Sequence, residues 1–236
     1  MITKALEYLS ANFLAASVPV ENHGCKYSPV TLNIIKAPQA DTLKLHTLQG
    51  IVDYVSAETT ECKGGITHIL SPENVRLVTP ITADYRQRET LLESTLVQNS
   101  FPFGNYVTQE DFIVGLQSMF VDTPLRAELL KVAGSLTAEQ IQISEDDGVT
   151  QRGTAKVGIA RQATVDLPNP VNLRPFRTFT EVDQPESLFV FRMKLAGVPM
   201  LALFEADGGA WRNQAIKDIA FWLTGALKDK GIAIIA

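Results

Sequence analysis

Residues 189–204 read Phe-Val-Phe-Arg-Met-Lys-Leu-Ala-Gly-Val-Pro-Met-Leu-Ala-Leu-Phe. The first half places Phe189, Phe191 and Met193 on one face and Val190, Arg192 and Lys194 on the other. This period of two is typical of a strand with one buried face. Gly197 then permits a tight turn, and residues 200–204 return as a second strand. The stretch therefore predicts an antiparallel β-hairpin.

Apolar residues at helical spacing occur in the sequence both before and after this hairpin. After it, residues 209–228 carry an apolar face at helical spacing, and Gly231 closes the pattern. Before it, Thr108 begins a pattern that resembles a capping box, and Pro124 starts another helix that Gly134 ends. Two more helices are predicted: one over residues 2–16, with Leu6, Leu9, Phe13 and Leu14 on one stripe, and one after Thr47, with Leu48, Ile51, Val52 and Val55 on one face.

Other strand patterns are short. Residues 67–70 and 75–79 flank a polar turn and predict a second hairpin. Residues 149–165 follow the turn signal at 146–148 and predict a returning strand. A strand is also predicted over residues 30–35, whereas residues 86–97 fit either a helix or a strand.

The mixture of hairpins and segregated helices predicts an α+β fold, in which antiparallel β-hairpins or a sheet pack with several amphipathic helices around a single compact core. The 236 residues suit one α+β domain over 1–236, and a subdivision into 1–105 and 106–236 is the alternative. Hydrophobic residues make up 45% and charged residues 20%, which is typical of globular proteins and argues against global disorder.

The net charge, the N-terminal sequence and the cysteine count limit the kinds of protein that this chain could be. A net charge of −5 argues against bulk electrostatic binding to DNA or to an anionic membrane, although a local basic segment could override it. Glu7 interrupts any apolar signal region, and no apolar run approaches the ~20 residues that span a bilayer. Cys25 and Cys62 are too few for a disulfide scaffold, so we interpret them as reduced thiols. We therefore expect a cytoplasmic protein without a membrane partner.

Metal-binding and nucleophile motifs are weak. His23 and Cys25 lie two residues apart, but no second close pair of ligands follows them. Zinc sites usually combine two such pairs, so neither a metal nor another cofactor is predicted. A Cys–His nucleophile has no local support, and no catalytic residue is assigned.

Two acidic turns could still carry chemistry. Residues 207–209 follow one predicted strand and open a helix, where backbone N–H groups could hold an anion. Glu205 and Asp207 would repel that anion, so we interpret the segment as a strand-to-helix turn. An enzyme that uses Asp146, Asp147, Glu205 or Asp207 as acid, base or cation ligand is a further option.

The strongest chemical anomaly is a basic segment between residues 151 and 178, in which Asp166 is the only acid. Its cations, with the neighbouring aromatic residues, are Arg152, Lys156, Arg161, Arg174, Phe176, Arg177 and Phe179. Arginine interleaved with aromatic side chains can bind phosphate and stack on bases. In the alternative interpretation, these arginines pair with acids of a neighbouring subunit. The seven residues are the candidate ligand-binding or nucleic-acid-binding set, and both interpretations remain open.

Six stretches together carry a family resemblance. They are residues 45–54 (LHTLQGIVDY), 112–117 (FIVGLQ), 146–151 (DDGVTQ), 168–179 (PNPVNLRPFRTF), 181–186 (EVDQPE) and 203–211 (LFEADGGAW). Their order and spacing resemble the YfdQ-like family of tailed-phage and prophage proteins, over most of the chain from about residue 20. The resemblance implies an accessory protein that is absent from the virion and made early in the infected host cell. Because the family has no established activity, it assigns no catalytic residue.

Two main functions follow from the sequence. The first is a non-enzymatic, homo-oligomeric binding protein that sequesters a host component in the cytoplasm, either a nucleotide signal or a defence protein. The second is a single-strand nucleic-acid-binding protein of phage replication or recombination, in which Arg174 and Arg177 supply charge and Phe176 and Phe179 stack on bases. A structural, self-assembling protein is a third interpretation.

Overall fold

The computed structural model describes residues 2–17, 20–22, 25–27, 39–57, 59–81, 87–137, 153–156 and 164–236. Within these ranges only the backbone is described at residues 12–17, 20–22, 25–27, 59, 153–156 and 164–166. The predicted strand over residues 30–35 and the predicted turn at residues 146–148 lie outside the described residues.

The helices of the described residues are α1 (Ile2–Ser17), α2 (Leu48–Ala57), α3 (Thr59–Cys62), α4 (Gln109–Met119), α5 (Pro124–Ser135) and α6 (Ala210–Ala226). The five helices predicted from the sequence correspond to α1, α2, α4, α5 and α6, although α5 continues one residue beyond Gly134, its predicted end. Thr108 caps α4 by accepting a hydrogen bond from the Asp111 N–H, as the predicted capping pattern requires. None of the helices in the described ranges combines the length and the apolar character that crossing a membrane requires.

The strands of the described residues are β1 (Val20–Asn22), β2 (Cys25–Tyr27), β3 (Leu43–Leu45), β4 (Ile66–Ser71), β5 (Asn74–Val78), β6 (Thr90–Thr95), β7 (Val107–Thr108), β8 (Gly153–Lys156), β9 (Thr164–Leu167), β10 (Val171–Leu173), β11 (Ser187–Ala196), β12 (Val198–Glu205) and β13 (Ala233–Ile235). With the helices they form a mixed α+β fold, which confirms the predicted class.

The chain divides into two compact units, Met1–Gln39 and Ala40–Ala236. The first unit contains α1 and a two-stranded hairpin, in which β1 and β2 pair antiparallel with Glu21 opposite Lys26. All the other elements belong to the second unit. The alternative subdivision of the sequence at residue 105 stays a prediction.

The predicted hairpin of residues 189–204 is the centre of a four-stranded antiparallel sheet with the order β10-β11-β12-β7. β11 and β12 pair from Phe189 opposite Glu205 to Ala196 opposite Val198, and Gly197 turns the chain at a φ of 76°. Only glycine adopts that backbone conformation readily, which is why the turn falls there. The predicted hairpin and its turn at Gly197 are confirmed.

A phenylalanine-rich core covers one face of this sheet, against α4 and α5. Phe112 and Leu116 of α4 and Leu129 of α5 are fully buried there. Phe101 packs edge-on against Phe112, with a ring-centroid distance of 5.7 Å. The same cluster includes Phe189, which the two-residue period of β11 placed on the buried face. The binary pattern of the sequence thus predicted which side of the hairpin faces the core.

A second, five-stranded sheet has the order β13-β4-β5-β6-β3. A second core lies against this sheet. It includes buried residues of α2, such as Leu48 and Ile51, and of α6, such as Ile219 and Leu223. Helix α6 therefore packs beside elements that lie more than a hundred residues earlier in the chain. This buried cluster extends across residue 105.

The predicted single strand over residues 149–165 is wrong for the described part of the chain. That part has two short strands, β8 and β9, which pair antiparallel with each other and place Lys156 opposite Thr164. The sequence also missed β3, β10 and β13, because a three-residue strand has no detectable period. Such strands are defined by a partner elsewhere, as β13 is by its parallel pairing with β4.

Glu93 links three neighbouring strands of the five-stranded sheet. It lies opposite Lys44 of β3 on one side and opposite Arg76 of β5 on the other. Its carboxylate pairs with both cations and accepts a hydrogen bond from Asn74 at 2.8 Å. Hydrogen bonds from Lys44, Asn74 and Arg76 lower the pKa of Glu93 to about 2.

We expect Glu93→Gln to lower the free energy of unfolding by about 1 kcal/mol at neutral pH, because it removes the shared ion pairs. The unfolded-state pKa of Glu93 is close to its ordinary value of 4.5, whereas the folded-state pKa is about 2. The stabilisation is therefore complete above pH 4.5 and is lost as the pH falls towards 2. Urea unfolding of both proteins between pH 2 and 7 measures the difference.

The matched control is Glu73→Gln, in the exposed turn between β4 and β5, which should change stability by less than about 0.5 kcal/mol. A gap between wild type and Glu93→Gln that stays constant from pH 7 down to pH 2 would contradict the assigned pKa.

Candidate functional site

The basic segment places Arg177 in the interior of the second unit, where only 5% of the residue is exposed. One guanidinium nitrogen, Nη1, donates to Glu205 Oε1 at 2.7 Å, and the other, Nη2, donates to Ser187 Oγ. The guanidinium carbon lies 3.8 Å from the centroid of the Trp211 ring and 5.6 Å from that of Phe189. Stacking on aromatic rings stabilises a desolvated cation. The contacts of this guanidinium are thus made within the chain.

Burial and neighbouring charges set the protonation states of this cluster. Burial lowers the pKa of Arg177 to about 10, although the carboxylates of Glu205 and Asp207 oppose that shift. Burial would raise the pKa of Asp207, but hydrogen bonds from Ser187 Oγ at 2.6 Å and from the Gly209 N–H at 3.0 Å act against it. The charge of Arg177 adds to these bonds, so the pKa of Asp207 lies below its usual value. At neutral pH the cluster therefore holds a cation beside the ionised carboxylate of Asp207.

The backbone from Arg177 to Phe179 is fixed by the buried side chain of Gln184. Its Oε1 accepts from the N–H groups of Arg177 at 2.9 Å and Thr178 at 3.2 Å. Its Nε2 donates to the carbonyl oxygens of Thr178 and Phe179, both at 3.2 Å. Thr178 Oγ1 also donates to the carbonyl of Pro72, in the turn between β4 and β5, at 2.6 Å. These bonds fasten the segment to the five-stranded sheet.

Arg174 and Phe179, two other candidates of this stretch, also make contacts within the chain. Arg174 Nε donates to the carbonyl of Gln184 at 2.9 Å, and its Nη2 lies 3.7 Å from Asp183. Phe179 is fully buried in the second core, and Phe176 is 37% exposed. The acidic partners of Arg174 and Arg177 therefore lie in the same chain. Phe179 has no exposed face on which a base could stack.

The side chains of the remaining three candidates of the basic segment lie outside the described part of the chain. Arg152 and Arg161 lie outside the described ranges, and Lys156 is described only by its backbone in β8. The structure thus gathers Arg174, Phe176, Arg177 and Phe179 along one segment. Their roles in ligand or nucleic-acid binding stay predictions, as do those of the other three.

The turn at residues 207–209 is the strand-to-helix turn that the sequence predicts. Asp207 Oδ1 accepts from the Gly209 N–H, and Gly209 has a φ of 81° as it precedes α6.

Cys62 is buried, and His46 Nδ1 lies 2.9 Å from the carbonyl oxygen of Thr95. No group of three or more His, Cys, Asp or Glu side chains that could hold a metal ion occurs in the ranges the structure describes.

A surface groove that sequence reasoning missed lies beside α6. It runs between residues 180–183 and the side chains of Asp218, Phe221 and Trp222, and has a volume of about 380 Å³. We call it the Phe221 groove. Phe221 is 84% exposed, the highest value among the large apolar side chains described. The available signal was a large aromatic residue off the predicted apolar face of α6.

We expect Arg177→Met to lower the free energy of unfolding by about 2–3 kcal/mol, because it leaves Glu205 and Asp207 without their cation. The value is at the low end for a buried pair, since the side chain of Glu205 is 29% exposed. Arg174→Met is the matched control, and its weaker ion pair at 3.7 Å should cost less than about 1 kcal/mol. Urea unfolding at pH 7 compares the two variants, and equal losses would contradict a structural role specific to Arg177.

The chain was compared with known protein families, curated proteins and solved structures. No protein-family model, no curated protein and no solved structure matches the chain. Membership of the YfdQ-like family, which the six sequence stretches imply, therefore stays a prediction.

Proposed function

We propose that this chain is a self-associating, non-enzymatic binding protein that sequesters a host protein in the cytoplasm of a phage-infected cell. The phage setting and the cytoplasmic location come from the resemblance to the YfdQ-like family. Self-association is supported by one observation above the others: the apolar stripe of α1 is exposed.

The stripe runs along one side of α1. Ile2, Leu6 and Leu9 follow one another at intervals of four and three residues, so they share one helical face. They are 78%, 60% and 60% exposed. Contiguous exposed apolar side chains of this kind usually mark an interaction surface.

A second copy is the partner that suits this face best. An isolated helix of this length is marginal in water and gains its stability by burying an apolar face. Burying one such side chain contributes about 1.5–3 kcal/mol, and a second copy offers the same stripe in return. Lys4 and Glu7 are the only charged residues of α1 and have opposite signs, so two copies meet without net repulsion.

Binding is favoured over catalysis by the environment of the titratable groups. Perturbed pKa values often mark active sites. In the described part of the chain, the groups with clearly shifted pKa values are Glu93, Arg177 and Asp207. Each shift has a structural cause in an ion pair, a hydrogen bond or burial. Because Arg177 is engaged inside the fold, a protein is a better-supported partner than a nucleotide or a single-stranded nucleic acid.

We expect light scattering of the full chain at micromolar concentration to give the mass of a dimer or a small oligomer. Leu6→Asp/Leu9→Asp should reduce it to a monomer, because each carboxylate would be buried in the α1 contact without a partner. Both side chains are exposed, so the thermal unfolding of the second unit should not change.

Val114→Asp is the matched control, because Val114 is a 56% exposed apolar residue on α4. This variant should keep the wild-type mass. A wild-type chain that remains monomeric, or a double variant that still assembles, would rule out self-association through α1. Very large particles would instead favour a structural, self-assembling protein.

A further inference from the structure

We infer that the Phe221 groove binds a segment of a partner protein in which an apolar side chain is flanked by lysine or arginine. The inference rests on the proposed binding role and specifies the chemistry of the partner. It does not depend on self-association through α1.

The apolar part of the groove comes from both of its walls. Phe221 lies on the side of α6 away from Ile219 and Leu223, which are buried in the second core. The half-buried side chains of Trp222 and Val182 lie beside it in the groove. A single exposed apolar residue is ordinary, but an exposed aromatic residue in a concave site of this size resembles a binding anchor.

The charged part of the groove is acidic. Glu181, Asp183 and Asp218 line it, and no lysine or arginine is among its lining residues. Glu181 accepts a hydrogen bond from a backbone N–H in the first turn of α2 at 3.1 Å, and Asp218 accepts one from Gln214 at 2.8 Å. These donors are neutral amides, so they hold the carboxylates in place without cancelling their charge. Among described residues, Arg174 is the one cation within 4.0 Å of the three carboxylates, at 3.7 Å from Asp183.

The groove is already formed in the free chain. The Val182 N–H donates to the carbonyl of Phe179 at 3.3 Å, and Phe179 itself is buried in the second core. Gln184, immediately after the loop of residues 180–183, donates to the carbonyl oxygens of Thr178 and Phe179 immediately before it. Glu181 attaches the other side of the loop to α2. A preformed site spends little of its binding free energy on ordering its own residues.

The negative charge of the groove favours a basic partner segment over phosphate-containing ligands and over a second copy of the chain. Phosphate groups would meet three carboxylates and no cation in the groove, which disfavours nucleotides, nucleic acids and anionic lipids. A second copy placed groove to groove would bring six carboxylates together, and the whole chain has a net charge of −5. A partner with lysine or arginine beside an apolar side chain satisfies both parts of the groove.

The test uses a fluorescein-labelled library of 12-residue peptides that place Leu, Phe, Trp or Met next to Lys or Arg, with a matched set that carries Glu in place of the basic residues. Fluorescence anisotropy measures their affinity for the full chain. We expect basic-apolar peptides to bind, and Phe221→Ala to weaken that binding by about tenfold or more. Asp183→Asn/Asp218→Asn should also weaken it and reduce its dependence on salt.

Val114→Ala is the control for loss of an exposed apolar residue, and it should leave the affinity unchanged. Thermal unfolding of Phe221→Ala should match that of the wild type, because the side chain is 84% exposed. The inference is overturned if no peptide binds in a Phe221-dependent way, or if the acidic set binds as well as the basic set.

The two proposals fail separately. The Leu6→Asp/Leu9→Asp variant should bind the basic-apolar peptides as the wild type does, because its substitutions lie in α1. A monomeric wild type that binds these peptides would refute self-association and leave the groove inference standing. An oligomer without Phe221-dependent binding would do the reverse.

Discussion

The buried guanidinium of Arg177 is the constraint on which the second unit depends. It joins β11, through Ser187, to the end of β12, through Glu205, and it stacks on Trp211 in the first turn of α6. A buried charge is tolerated only when it is paired and hydrogen-bonded. The positions of two strands and one helix are therefore coupled to one side chain.

Residues 175–179, the segment that contains Arg177, connect the two larger sheets. Pro175 bridges to Phe120 beside the phenylalanine-rich core, and Phe179 is buried in the other core. Between them, Thr178 is hydrogen-bonded to the turn of the five-stranded sheet. Arg177 and Phe179, which the sequence offers as candidate ligand-binding residues, therefore also stabilise the fold. A basic and aromatic composition is compatible with both ligand binding and a structural role.

Two exposed surfaces of the described residues support the proposed binding function. On α1, the stripe of Ile2, Leu6 and Leu9 is neutral overall and suits a copy of itself, whereas the Phe221 groove has an acidic rim and suits a basic segment. The two surfaces differ in charge, so the proposed self-association and the proposed binding of a basic segment would use different chemistry.

The sequence by itself determined the α+β class, five of the six described helices and the 189–204 hairpin, because periodicity and turn residues act over short distances. Its buried face was also readable, since Phe189 and Phe191 alternate with their neighbours. Only the tertiary structure decided that Arg177 is neutralised within the chain and that Phe221 is left outside the core. Both depend on long-range packing: Glu205 lies 28 residues from Arg177, and α6 is oriented by Ile219 and Leu223 against α2. A local pattern records which side chains can pair, but the fold determines which of them meet.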